Sequence, residues 1–241
     1  MEKEKKRRAR RSLVAVERDI LEAVMEIVKE SGFQKVSLIA VATRANVQLS
    51  VIYRHFGSLE KLLDRYVQSL DYWMNTVLEL RDDELDGAEA YKSSLQHLMH
   101  AFYKNQEMQK LMVWELSEEN TTTRRTMKRR ELVNTEMISV YNRMFEGSGI
   151  DIQAITAILT SGVYHLTINR KRVKYFDVDF STRQGRERLV EALGYLCDLV
   201  FADLKAKQEA KSTAKILKEK GVAADIIKEA TKLTVEEIEV L

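Results

Sequence analysis

At 241 residues and 27.9 kDa, the chain contains no proline and only nine glycines, where average usage would give roughly 12 prolines. So few turn-formers exclude a turn-rich sandwich or barrel, and 45% hydrophobic with 32% charged residues exclude disorder as a description of the whole. The net charge of +2 is uneven, because residues 1–11 hold seven Lys or Arg against Glu2 and Glu4. This basic arm, residues 1–15, suits a polyanion partner and equally a solubilising tail. Residues 17–31 read as an amphipathic helix, with Ile20, Val24, Ile27 and Val28 at helical spacing and Gly32 to end it. Ser37 has N-cap character for a short helix, Leu38 to Ala45, and Asn46 after it tolerates positive φ. A second short helix spans about Ser50 to His55. Gly57-Ser58 then break the chain before a helix over 58–80 that carries Leu59, Leu62, Leu63, Tyr66 and Leu70. Two short helices across a tight turn form a helix-turn-helix candidate. Val47, Ile52 and Phe56 can anchor it, while Gln48, Ser50, Tyr53, Arg54 and His55 can reach outward. No Asp or Glu occurs between Lys35 and Ser58, which suits a surface that meets phosphates.

The segment carries Arg18-Asp19-Ile20-Leu21-Glu22-Ala23, Gly32-Phe33, Val36-Ser37, Val41-Ala42 and Ala45-Asn46-Val47. Ser50-Val51-Ile52-Tyr53-Arg54-His55-Phe56 and Gly57-Ser58-Leu59-Glu60-Lys61-Leu62-Leu63 follow. With these, residues 17–66 resemble the DNA-binding domain of the tetracycline-repressor-like (TetR) family of transcriptional regulators. The resemblance implies an all-α chain whose three-helix DNA-binding domain, residues 16–66, precedes a helical ligand-binding and dimerisation domain, residues 67–206. It implies that the helix around Gln48–His55 enters the major groove of double-stranded DNA, with Leu49, Ser50, Val51 and Arg54 nearest the bases. Ser37, Gln48, Tyr53 and His55 would hold the backbone, Arg44 would reach a guanine edge or a phosphate, and the basic arm would extend along the duplex. Two departures stand out: Asn46 replaces the usual turn glycine, and Leu59 replaces a lysine that commonly contacts the DNA backbone, leaving Lys61 or Arg54 to substitute. A homodimer, a roughly palindromic operator and a small-molecule effector are further implications.

Beyond residue 86, helices are expected over 87–104, 107–118, 121–146, 152–172 and 181–206. The cluster Arg124, Arg125, Lys128, Arg129 and Arg130 reads as a solvated face, because Met127, Leu132, Met137, Val140 and Phe145 mark a buried side. Dimerisation candidates are Ile155, Ile158, Leu159 and Val163 beside Ala154, Ala157, Ser161 and Gly162. A second stripe is Leu189, Leu193, Leu196, Val200 and Phe201 beside Ala192 and Gly194. Trp73, Tyr103, Trp114, Tyr141 and Tyr164, with His100 and His165 as polar contacts, are candidate effector linings, and the same aromatics also suit plain core. They favour a largely apolar or aromatic ligand. His97 and His100 stand three apart without a third ligand, so neither metal nor cofactor is expected. The chain has no Gly-rich phosphate loop, no Cys/His nucleophile pair and no clustered carboxylates, so no catalytic residues are assigned and an enzyme is not expected. One cysteine, Cys197, and the lack of any long apolar run point to a cytoplasmic protein with no membrane association.

Residues 207–241 form an additional helical tail. One helix ends at Gly221, Ala223–Thr231 forms another, and Thr234 with Glu237 opens a third as a capping box. Gly221 to Leu241 resembles the small helical repeat at the C-terminus of some transposase-like proteins, with Lys232 at its second glycine position. Residues 224–241 carry five acidic groups against Lys228 and Lys232, which argues against DNA and for a protein partner. The acidic tail and Leu59 keep an alternative in play, a helical adaptor with weakened DNA binding.

Overall fold

The computed structural model describes residues 12–70 and 87–241, and among these the chain is helical without strands. In order the helices are α1 (Leu13–Ser31), α2 (Leu38–Arg44), α3 (Leu49–Phe56), α4 (Leu59–Leu70), α5 (Gly87–Lys104) and α6 (Gln106–Ser117). They continue with α7 (Thr121–Met144), α8 (Ile152–Asn169), α9 (Arg183–Glu219), α10 (Ala224–Thr231) and α11 (Val235–Glu239). Most starts carry a side-chain cap: Ser12, Ser37, Asn105, Asp151, Thr182 and Thr234 each accept a backbone N–H. The basic arm over 1–11, Trp73 and the second half of the helix expected over 58–80 lie outside the described residues.

Two boundaries move. Ser12 starts α1 four residues before the apolar periodicity begins, so Leu13–Ala15 belong to the helix and not to the arm. Leu13 and Val14 are exposed, which is why no stripe announced them. At the other end, α9 does not stop at 206 but continues to Glu219. Nothing between Gly194 and Gly221 can end a helix, and Lys, Ala, Glu and Gln dominate that stretch. The tail therefore starts as more α9.

The chain divides into two compact units, residues 1–76 with 101–133 and residues 77–100 with 134–241. In the first, α1 packs on α2, α4 and α6 around Ile20, Val24, Val28, Ile52, Leu62 and Val67. Phe33 stacks flat on Trp114 at 4.6 Å, and the Tyr66 hydroxyl donates to Glu107 at 2.7 Å. Burial and that carboxylate push the Tyr66 phenol far above its ordinary range. Residues 101–133 group with the N-terminal helices in this unit.

The first half of α7 reverses the expected orientation. Met127 and Leu132 are exposed, while Thr122, Thr123 and Thr126 are buried. Arg125 pairs with Asp64 of α4, and Thr122 donates to the same carboxylate at 3.1 Å. Arg130 reaches Glu115 of α6 at 2.7 Å, with Thr126 donating to that carboxylate at 2.6 Å. Threonine hydroxyls satisfy their hydrogen bonds inside this layer, so a polar face can be buried without the usual cost. Two of the five cations thus point inward.

In the second unit, Tyr91, Leu95 and Met99 of α5 meet Ile138 and Tyr141 of α7, Phe145 just beyond it, Val163 of α8 and Leu193, Cys197 and Leu204 of α9. Tyr91 bonds Thr156 at 2.7 Å, and burial pushes its phenol up to about 12. Gly185 opens α9 where a Cβ would lie 2.0 Å from the Asp179 carbonyl oxygen. Backbone cannot yield there as a side-chain tip can. Gly185→Ala is therefore expected to cost about 1–3 kcal/mol, read as a lower denaturant midpoint. An unchanged midpoint would show that the close approach is not required.

Candidate nucleic-acid interface

Helices α2 and α3 are fastened by Val41 and Ile52, both fully buried. Between them the chain turns through Asn46 at φ 51°, with the Val47 N–H donating to the Ala42 carbonyl at 3.0 Å. Asparagine enters the left-handed region more readily than other side chains, so the turn forms without glycine. After α3, Gly57 at φ 78° reverses the chain, and the Ser58 hydroxyl oxygen accepts the Lys61 N–H at 3.2 Å to cap α4.

Anchoring Ile52 turns the opposite side of α3 outward. Gln48, Ser50, Tyr53 and Arg54 are exposed, Leu49 is just exposed, and Val51 and His55 are half-buried. Phe56, expected in the core, is only half-buried, its ring 6.1 Å from that of His55. Gln48 makes no side-chain cap bond, so its amide is not used up at the helix start. Ser37 is exposed and its oxygen accepts the Ala40 N–H at 3.2 Å. Its own proton stays available to a phosphate. Lys61 is exposed beside the Gly57 turn, and Leu59, in the usual lysine position, is half-buried.

Arg44 is placed differently from expectation. Both of its terminal nitrogens engage Glu30, at 2.7 and 2.8 Å, and Glu26 lies at 3.6 Å. The bidentate hydrogen bonds hold the Glu30 carboxyl below, and the Arg44 guanidinium above, their ordinary ranges. The pair clamps α2 to α1. Ile39 and Thr43 of α2 are also exposed, at i, i+4 spacing opposite the buried Val41 and Ala42.

The described candidate effector residues are divided between the two units. Trp114 and Tyr103 belong to the first unit, where Trp114 is core, stacked on Phe33 with its Nε1–H on Glu118 at 2.7 Å. In the second unit Tyr141 is locked edge-on to Tyr91 and Phe201. Tyr164 is half-buried, and His100 and His165 are exposed. The Nδ1 of His100 sits 2.8 Å from the Gln96 carbonyl and the Nε2 of His165 2.7 Å from the Tyr175 hydroxyl. Among the described residues no group of three or more His, Cys, Asp or Glu could hold a metal ion, and no helix is long and apolar enough to cross a membrane.

Residues 20–66 match the family described as bacterial regulatory proteins, tetR family. The fold is similar to that of a Rhodococcus sp. protein assigned to the TetR family of transcriptional regulators. The TM-score there is 0.58 at 16% identity, covering 76% of this chain and 98% of that one. It is also similar to a TetR-family transcriptional regulator from Haemophilus influenzae RD (TM-score 0.52, 15% identity, 77% and 98% covered). A third is NalD of Pseudomonas aeruginosa, the secondary repressor of the MexAB-OprM multidrug efflux pump (TM-score 0.51, 17% identity, 75% and 94% covered). No curated protein matches the chain.

Proposed function

We propose that this chain, TetR-like over residues 20–66, is a homodimeric transcriptional repressor, released from a palindromic operator by a small apolar or aromatic effector. The observation that carries this is the exposed row Gln48, Ser50, Tyr53 and Arg54 on a helix anchored by Ile52, in a stretch without acidic residues. Such a row offers hydrogen-bonding groups to base edges and phosphates. It favours a DNA reader over a helical adaptor.

Dimerisation draws support from α8 and α9. Val163 and Leu193 are buried in their own unit, and Leu159, Leu189, Val200 and Phe201 pack against that core. Ile158, Tyr195, Leu196 and Leu199 are exposed, with Ala154, Ala157 and Gly162 open beside them. These left-over apolar groups, and not the whole of each stripe, make the candidate interface. For the effector, the second unit offers the rings of Tyr91, Tyr141, Phe145 and Phe201. The same unit holds His97 Nδ1 and Thr167 Oγ1, buried without a hydrogen-bond partner among the described residues. Polar atoms left in that state gain from a ligand that bonds them. A ligand that prefers the conformation with misaligned reading helices must, by linkage, weaken DNA binding.

Nuclease protection on the DNA flanking the gene tests the reading. Two protected half-sites about 34–36 Å apart are expected. Tyr53→Ala and Arg54→Ala should each weaken binding about tenfold or more. Protection that ignores both changes would remove α3 from the reading role, and a folded dimer that protects nothing would favour the adaptor.

A further inference from the structure

Two surfaces of the second unit take no part in the exposed row of α3. One is the connection between α8 and α9. Tyr175 and Val178 exchange backbone hydrogen bonds at 3.1 and 2.9 Å across Phe176 and Asp177, whose φ values are 49° and 62°. Two successive positive φ values make a type I′ hairpin turn, which Asn-Gly or Asp-Gly ordinarily supplies. Phenylalanine is held there against its own preference. The result is a ring fully exposed at the tip, with Val173 exposed beside it and Lys171, Arg172 and Lys174 exposed on the same connection. Asp177 is exposed at the tip as well, so the connection is net basic by three exposed cations to one exposed acid, and a bare aromatic in that setting calls for a surface that is acidic and partly apolar.

The other is the C-terminal module. Here α10 and α11 fold onto the end of α9 around Ala214, Ile227, Leu233 and Ile238. Lys232 turns the chain at φ 61°, in the position that a glycine holds in the similar repeat. Lys218 ties α11 down by donating to the Ile238 and Glu239 carbonyls at 3.0 and 2.8 Å. The outer surface carries exposed Ile226 and Val240 among exposed Asp225, Glu229 and Glu239. Lys228 and Lys232 are exposed there too, but with five acidic groups against two basic ones over residues 224–241 the module is net acidic and partly apolar, the complement of the hairpin.

Position along α9 says whose hairpin could meet it. Ala214 follows Leu196 by 18 residues, and Leu217 follows Leu199 by the same interval, which is about five helical turns. The module thus sits on the face of α9 that carries the exposed Leu196 and Leu199. A second chain lying on that stripe runs toward the module. If a two-fold axis crosses α9 near these leucines, Ala214 lies about 27 Å to one side and Arg183 about 20 Å to the other. Each module then comes opposite the start of the partner's α9, where the hairpin is.

We propose that the Phe176 hairpin of one protomer docks on the C-terminal module of a second copy of this chain and closes both ends of the α8–α9 interface. The proposal rests on the dimer reading given above. Co-expression of a Phe176→Cys chain with an Ile226→Cys chain, followed by oxidation, tests it directly. Native Cys197 is buried, and burial raises its thiol to about 11, so it stays out of the exchange. A disulfide-linked dimer is expected from the pair and not from either chain alone. In sedimentation at low salt, Lys171→Glu with Arg172→Glu and Lys174→Glu should weaken the dimer about tenfold. Adding Asp225→Lys, Glu229→Lys and Glu239→Lys should restore it. If charge reversal changes nothing and no mixed disulfide forms, while Leu196→Glu with Leu199→Glu yields monomers, the hairpin contact is overturned and the dimer stands. Linkage of Ile226→Cys chains to each other would also overturn it. A native protein that sediments only as monomer would overturn the dimer reading itself.

Discussion

Ser50→Glu should lower affinity for the operator about 10²–10³-fold without lowering stability. Ser50 is exposed in the first turn of α3, and no acid lies within the whole stretch from Lys35 to Ser58. A carboxylate there meets the phosphate potential at close range and displaces a small hydroxyl from the base edges. One wrong contact in a half-site costs about 1–3 kcal/mol, and a two-fold dimer repeats the error. The same carboxylate is favourable to the helix itself, since negative charge near a helix N-terminus is stabilising by about 0.3–1 kcal/mol. Affinity and stability should therefore move independently, or in opposite directions. Fluorescence anisotropy against the protected DNA, beside a thermal melt, reads both. Full affinity in the variant would mean that α3 does not enter the groove.

The reading head was legible because its chemistry is local. Ser37 caps, Asn46 turns, Gly57 reverses and Ile52 anchors within a few residues of one another. What stayed hidden depends on partners distant in the chain. Arg44 is indistinguishable from a free DNA-facing cation until α1 places Glu30 beside it, 14 residues earlier. In α7 the apolar pattern of Met127 and Leu132 suggested a buried side, yet the threonines are inside. Hydrophobic periodicity fails there because Asp64 and Glu115, on other helices, satisfy the hydroxyls and guanidinium groups. Trp114 looked like a ligand-lining aromatic for a similar reason, since only the fold puts Phe33 against it. The end of α9 was placed at 206, with a separate tail after it, while the residues themselves continue the helix to Glu219.

Arg130→Met should destabilise the first unit by about 3–5 kcal/mol. The Arg130 side chain is 13% exposed and that of Glu115 only 4%. Both carboxylate oxygens of Glu115 accept from the Arg130 Nη2, at 2.7 and 2.8 Å, and one also accepts from Thr126. Without the guanidinium, a buried carboxylate keeps one neutral donor, and its desolvation is no longer offset. Adding Glu115→Leu removes the stranded charge, and the double variant should recover most of the loss, because an apolar pair of similar volume replaces buried ions at little net cost. Thr126 keeps a second acceptor in the Thr123 carbonyl at 2.9 Å, so its hydroxyl is not orphaned by that change. Denaturant midpoints for the two single variants and the double form a cycle whose coupling should exceed about 1.5 kcal/mol. A cost below about 1 kcal/mol for Arg130→Met would mean that water already reaches Glu115 and that the threonine face of α7 is held by its hydroxyls alone.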